Sequence, residues 1–269
     1  MSGFVHIAIA DGVAILTLSA PERRNILGSE NEYGAIESAV AQVTRDKSVR
    51  AVVLTGAGRA FCAGGDIKGM LARSHDSSIE ALDDRYAYKE GIHRIPLALF
   101  NCEVPTIAAV NGPAIGAGLD LACMCDIRIA AEDARFAESF VTLGIIPGDG
   151  GAFFLQRIVG YAKAAELTFT GRTIDASEAL AMGLVSRVVP AAELMPVARD
   201  LAARIAANPG HALRMAKRLL REAQTARLET VLELSAAFQA LAHDHSDHRT
   251  RIANAVGNLS RPASAKDTQ

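Results

Sequence analysis

The chain has 269 residues, 50% of them apolar and 22% charged, with a net charge of −2; this is too apolar for a disordered segment and too neutral for a general polyanion binder, so nucleic acid is excluded as an expected partner. Aromatic residues make up only 5% and there is no Trp, which removes the material for base- or sugar-stacking platforms and leaves backbone and aliphatic walls to grip a ligand. The length suits one sizeable domain with an appendage.

Phe4 to Leu18 is two alternating apolar stretches around Asp11-Gly12, the signature of a tight β-hairpin. A polar PERRN segment (Pro21 to Asn25) precedes apolar residues at helical spacing from Glu30 to Val43, with Ser29 and Glu32 spaced as a capping box. Val49 to Leu54 is a short β-branched strand running into Thr55-Gly56. Further on come a helix-prone region (Ile79 to Phe100), a strand at Thr106 to Val110 closed by Asn111-Gly112, a short helix from about Gly116 and a strand at Asp126 to Ala130. Parallel strands joined by helical crossovers, an α/β fold, are the simplest reading. Beyond Gly171 one weak strand remains, Val185 to Val189, followed by helices at Ala192 to Ala207, His211 to Gln224 and Leu228 to Ala242. This predicts a core over residues 1–195 and a helical region over 196–269, ending in a frayed polar tail, SRPASAKDTQ.

No apolar run approaches the roughly 20 residues of a bilayer span, and Asp11-Gly12 interrupts the N-terminus before an export signal could form, so a cytoplasmic protein without membrane association is expected. Cys62, Cys102, Cys123 and Cys125 lie in apolar segments without the paired spacing of a zinc site and read as reduced core thiols.

Two glycine-rich loops each follow a strand: GAGRAFCAGGDIK (Gly56 to Lys68) and NGPAIGAGLD (Asn111 to Asp120). Neither has the spacing of a nucleotide loop. They are either tight turns with close strand–helix packing or sources of free backbone N–H groups that converge on one developing oxyanion.

Together FCAGGDIK, NGPAIGAGLDLA, CDIRIA, ARFAE and LGIIPGDGG resemble the crotonase, or enoyl-CoA hydratase/isomerase, family, over about Val5 to Leu259. The resemblance implies a spiral of ββα units, a helical C-terminal trimerisation region, and a homotrimer or dimer of trimers. It implies an acyl-CoA thioester substrate whose enolate oxygen is held by two backbone N–H donors, at Gly65 and Ala117. Coenzyme A is then part of the substrate, and no separate cofactor or metal is expected. Ala117 stands where glycine is common in the family, but alanine keeps its N–H. Gly65, Asp66, Ile67 and Lys68 resemble the strip that contacts CoA, and Arg24 resembles a position near its nucleotide.

Hydratases of the family carry two glutamates that hold a water; the corresponding positions here are Asp120 and Phe140. Glu138, two residues earlier, would share a face with Phe140 if the segment were extended, one step displaced. Asp149 stands where the family's dienoyl-CoA isomerases carry an aspartate, as Asp120 does. Phe140, with Gly116 and Glu138, is placed in the substrate pocket, where an aromatic wall would desolvate a proton-shuttling carboxylate. An isomerase is therefore the expected enzyme, against a hydratase using one carboxylate and against a CoA-binding homologue that has lost catalysis. The competing structural roles are an acidic helix-start residue for Asp120 and the cap of a helix beginning near Gly151 for Asp149. The crowded AHDHSDH segment, with His243, His245 and His248, reads as a polar joint between helices, and Lys217 and Arg218 as a solvated face.

Overall fold

The computed structural model describes residues 3–259, so the tail from Ser260 lies outside the described residues. The chain divides into two compact units between Asn208 and Pro209.

The first unit is built on a six-stranded sheet in the order β1-β2-β3-β4-β6-β9. Strands β1 (Val5–Ala10) and β2 (Val13–Leu18) form the expected hairpin, with Asp11 and Gly12 both at positive φ (52° and 78°), the pair of left-handed residues a two-residue turn requires. From β2 onward, through β3 (Ala51–Gly56), β4 (Thr106–Val110), β6 (Ile127–Ala131) and β9 (Arg187–Val189), every pairing is parallel. Strands of such a sheet are buried on both faces, which is why Ala51 to Leu54 and Ile107 to Val110 read as unbroken apolar runs. Alternate residues enter two separate cores. Leu16, Val52, Leu54, Ala108 and Val110 face one, and Ile15, Val53, Ile107, Ala109 and Ile129 face the other.

The first core is covered by helices that include α1 (Glu30–Arg45). Ser29 takes the N-cap position of α1, as its spacing predicts, but its hydroxyl bonds the Glu32 carboxylate (2.6 Å) rather than the helix backbone. The expected long helix over Ile79 to Phe100 is broken at Gly91 into α3 (Ala81–Glu90) and α4 (Arg94–Asn101), and a further helix, α2 (Ile67–Ser74), follows the first glycine loop. The second core is covered by α9 (Leu194–Ala206), whose Leu194, Ala198, Ala202 and Ala206 recur every fourth residue and let the helix lie close on the sheet. Because α9 belongs to this sheet, the division falls after it and not at the expected 195/196.

A second sheet, β5-β7-β8, has very short strands: β5 (Ala114–Ile115), β7 (Arg135–Ala137) and β8 (Thr173–Asp175). Nothing in the periodicity of the sequence announces strands of two or three residues, yet this sheet aligns the second glycine loop with the chain leading to Glu138. The second unit contains α10 (Gly210–Glu222), α11 (Leu228–Asp244) and α12 (Ser246–Leu259), the last not anticipated beyond the histidine-rich segment. Lys217 in α10 is buried rather than solvated, while Arg218 pairs with Glu222 at 2.8 Å on the exposed face. Among the described residues, no helix is long and apolar enough to cross a membrane.

Candidate active site

The two glycine loops are laced together by backbone. Cys62 N–H donates to the Pro113 carbonyl, and Ile115 N–H to the Cys62 carbonyl, both at 3.1 Å. A side chain on Gly118 would collide with that same Cys62 carbonyl, so the close approach demands glycine. Asn25 pins the first loop from below: fully buried, it donates to the carbonyls of Ala57 and Ala60 at 2.9 Å and accepts the Ala20 N–H. Gly65 follows this pinned stretch, and Ala117 opens α5 (Ala117–Cys123) after Gly116, whose φ of 51° only glycine adopts freely. Neither the Gly65 nor the Ala117 N–H is given to an acceptor among the described residues. The two N–H groups expected to serve an oxyanion are thus free among the described residues and carried on pinned loops.

The carboxylates complete the site. The Gly116 N–H bonds the Ala137 carbonyl at 2.7 Å, which brings the end of β7 beside the start of α5. Glu138, the next residue, is fully buried there with Asp120, and both carboxylates border the Cα of Gly151, at the start of α6 (Gly151–Val159); a Cβ on Gly151 would overlap oxygens of both. Asp149, on the turn before α6, is also buried. Asp120 Oδ2 accepts the Gly151 N–H at 3.0 Å. Asp120 Oδ1, both Glu138 oxygens and Asp149 Oδ1 meet no N–H or O–H donor from other residues among those described. Asp120 lies within hydrogen-bonding reach of Asp149 and Glu138, so a proton held by one of these carboxyl groups can bridge it to a neighbour.

Electrostatics agree. Burial first, then the negative charge of Asp149 and of Glu138, holds the Asp120 carboxyl well above the ordinary carboxylate range. Burial pushes Glu138 up to about 8 and raises Asp149, while hydrogen bonding with Asp120 acts in the opposite direction on both. The Gly151 N–H favours charge on Asp120, but burial and two like charges outweigh it. Burial and mutual repulsion thus act together against ionisation of all three carboxyl groups at once.

These positions correct three expectations. Asp149 is not the α6 cap: Gly150 holds the N-cap position without a side-chain bond, and Asp120 reaches across from α5 to take the Gly151 N–H instead. The segment after β7 is not extended, because Ser139 leads directly into a 3-10 turn over Phe140–Leu143. Glu138 and Phe140 consequently do not act as neighbours on one face: Glu138 joins Asp120, and the half-buried Phe140 ring lies against Gly116. Desolvation of the carboxylates comes from their burial as a group.

The expected CoA strip divides. Asp66 caps α2 by accepting the Gly69 N–H (3.1 Å) and pairs with Arg23 (3.7 Å), a structural role, whereas Ile67 and Lys68 are exposed beside it. Arg24 is also exposed, and its carbonyl accepts the Ala63 N–H at 3.0 Å, which ties it to the same loop. Three residues not singled out from the sequence surround Asp149. Tyr33 is raised to about 12, by burial, then Glu32, with Asp149 contributing; Tyr88 is raised by burial and then Asp149. His93 bonds the Gly148 carbonyl at 2.7 Å. They arrive from α1, α3 and the start of α4, and no local pattern marks them.

The four cysteines are buried free thiols. In the second unit, His211, His245 and Asp247 bring one potential ligand atom each within 4.8 Å of one another. His245 Nδ1, however, accepts the Asp247 N–H (3.2 Å), and its ring stacks on His211 at 3.7 Å, which is the geometry of a polar joint between α11 and α12.

The sequence profile described as enoyl-CoA hydratase/isomerase matches residues 8–254. The chain is 36% identical over 252 residues to the 1,2-epoxyphenylacetyl-CoA isomerase of Escherichia coli, covering 94% of this chain and 95% of that protein. It is 38% identical over 221 residues to a short-chain-enoyl-CoA hydratase of Clostridium acetobutylicum, covering 82% of each. The crystal structure of an enoyl-CoA hydratase from Bacillus anthracis superposes with a TM-score of 0.86 at 33% identity, covering 96% of this chain and 98% of that one. With the spiral α/β fold and the paired glycine loops in place, these matches show that the chain belongs to the enoyl-CoA hydratase/isomerase family.

Proposed function

We propose that this protein is an acyl-CoA double-bond isomerase. The thioester carbonyl sits at the Gly65 and Ala117 N–H groups, so that charge developing on its oxygen meets donors that need no reorganisation. An ionised carboxylate of the Asp120–Glu138–Asp149 group removes a proton from the α-carbon, giving the enolate. A protonated neighbour, or the same group, returns a proton at the γ-carbon, and the double bond moves into conjugation with no net change in atoms. The observation that carries this reading is the burial of three carboxyl groups together, which supplies proton acceptor and proton donor in one place at neutral pH. The exposed Arg24 and Lys68 suit the CoA phosphates, and exposed Ile67, Met70 and Leu71 on α2 suit the pantetheine or acyl chain.

A second reading is favoured by Glu138, whose oxygens meet no donor from other residues: with Asp120 it could hold a water for addition to a 2-enoyl thioester, as a hydratase requires. The two readings separate on paired substrates. The isomerase reading predicts that 3-enoyl-CoA gains the absorbance of the conjugated thioester faster than 2-enoyl-CoA loses it; rapid hydration of 2-enoyl-CoA with no double-bond shift refutes it. We also propose self-association through the helical second unit, supported by exposed Leu228, Leu232, Leu241, Ile252 and Val256 on α11 and α12. Native mass spectrometry reads the subunit number, with trimers or hexamers expected and a monomer contradicting it.

A further inference from the structure

Asp149 sits in the run Gly148-Asp149-Gly150-Gly151, a single carboxylate among three glycines. Glycine restricts the backbone less than any other residue, so this stretch has little of its own with which to fix the carboxyl group. The constraint must come from outside. On the C-terminal side the Gly151 N–H is held by Asp120, and Gly150, at φ 114°, packs on Phe154 and Pro96. On the N-terminal side the only side-chain hydrogen bond among the described residues is that from His93, whose Nε2 meets the Gly148 carbonyl at 2.7 Å. A carbonyl can only accept, so this nitrogen carries the proton. The His93 ring is itself braced: Tyr88 lies edge-on to it at 5.9 Å and packs so closely on Gly148 that a Cβ there would stand 2.8 Å from Tyr88 Cε1.

We propose that His93 is a positioning residue for proton transfer: through the Gly148 carbonyl it fixes where the Asp149 carboxyl stands relative to Asp120 and Glu138, with Tyr88 holding the imidazole in place. This rests on the reading that the carboxyl group of three moves the substrate's proton. Displacement of a reacting group by about 1 Å costs on the order of 100-fold in rate even when the altered residue lies outside the chemistry. His93 is too far from Asp149 along the chain for any motif to include it, which is why the sequence alone leaves it without a partner.

The test is a double-mutant cycle on double-bond migration of 3-enoyl-CoA. His93→Leu removes the donor at similar size, and His93→Gln returns an N–H near the Nε2 position; each is made alone and with Asp149→Asn. The expected result is a roughly 10- to 100-fold fall in kcat for His93→Leu with a smaller change in KM, recovery of most of kcat by His93→Gln, and little further loss when His93→Leu is added to Asp149→Asn. An unchanged kcat in His93→Leu, or the same loss whether or not Asp149 is present, overturns the proposal while leaving the role of Asp149 intact. Full turnover by Asp149→Asn alone refutes that role, and the proposal with it. If His93→Leu does not fold by circular dichroism, His93→Asn, polar but too short to reach Gly148, takes its place with the same outcomes.

Discussion

The two halves of the site are made in different ways. The half proposed to hold the oxyanion is backbone: Gly65 and Ala117 are placed by loop-to-loop hydrogen bonds, a buried Asn25 and a contact at Gly118 too close for any side chain. The carboxyl half is side chains from separate elements, Asp120 on α5, Glu138 after β7 and Asp149 on the turn before α6, which share only their burial. The first half is written into contiguous motifs because consecutive residues shape a loop. The second depends on which elements the fold brings together, and a shift of two residues, from Phe140 to Glu138, changes which carboxylate arrives. On the proposed reading this division separates holding an oxyanion, a task of the backbone, from moving a proton, a task of side chains.

The largest expected effect is on the carboxyl half. Asp120→Asn keeps an oxygen for the Gly151 N–H and so preserves the start of α6, but it removes the central proton carrier; turnover should fall on the order of 10²–10⁴-fold with the thermal midpoint little changed. Parental rates in this variant would remove Asp120 from the chemistry, and absence of turnover in parent and variant alike on every acyl-CoA tried would support a homologue without catalysis. In the backbone half, Ala117 is the first residue of α5, a position where a helix tolerates proline, so Ala117→Pro deletes one N–H donor and places the ring Cδ where its hydrogen pointed. Steady-state kinetics should show kcat reduced by about 10²–10³-fold. An unchanged kcat would mean that this N–H does not stabilise the transition state.

The smallest effect is on stability, and its sign is opposite to that of most buried substitutions. Glu138 has a folded-state pKa raised to about 8 by burial, so the folded protein binds the proton more tightly than the unfolded chain does. Its stabilising contribution is complete below the ordinary glutamate range and is lost as pH rises toward about 8. Glu138→Gln stays neutral throughout, and its thermal midpoint should exceed that of the parent by a few degrees at pH 9, with the difference shrinking at pH 5. A midpoint lower at pH 9 than at pH 5 relative to the parent would show that the Glu138 charge is compensated in the fold.

Much of this was legible in the sequence. The hairpin at Asp11-Gly12, the strand Thr106 to Val110 and the helices after Ala192 follow from turn chemistry and periodicity, while Gly65 and Ala117 are singled out by the family resemblance. Asp120 and Asp149 were visible as carboxylates in those motifs, although the cap geometry linking them was not: Asp120 reaches a helix that begins more than two dozen residues later. Glu138 escapes a reading by strand alternation because β7 ends at Ala137 and the chain soon turns into a 3-10 helix. Tyr33, Tyr88 and His93 were invisible because they meet Asp149 only through tertiary packing, and strands of two or three residues leave no periodicity to read.

The most direct test is to follow 3-enoyl-CoA with the protein in deuterated, ¹⁸O-labelled water and to read the first product by mass spectrometry. Proton movement within the buried carboxyl group predicts 2-enoyl-CoA as that product, with deuterium incorporated in only part of the molecules and no ¹⁸O. A 3-hydroxyacyl-CoA carrying ¹⁸O, formed from 2-enoyl-CoA at a rate exceeding any double-bond migration, would contradict it.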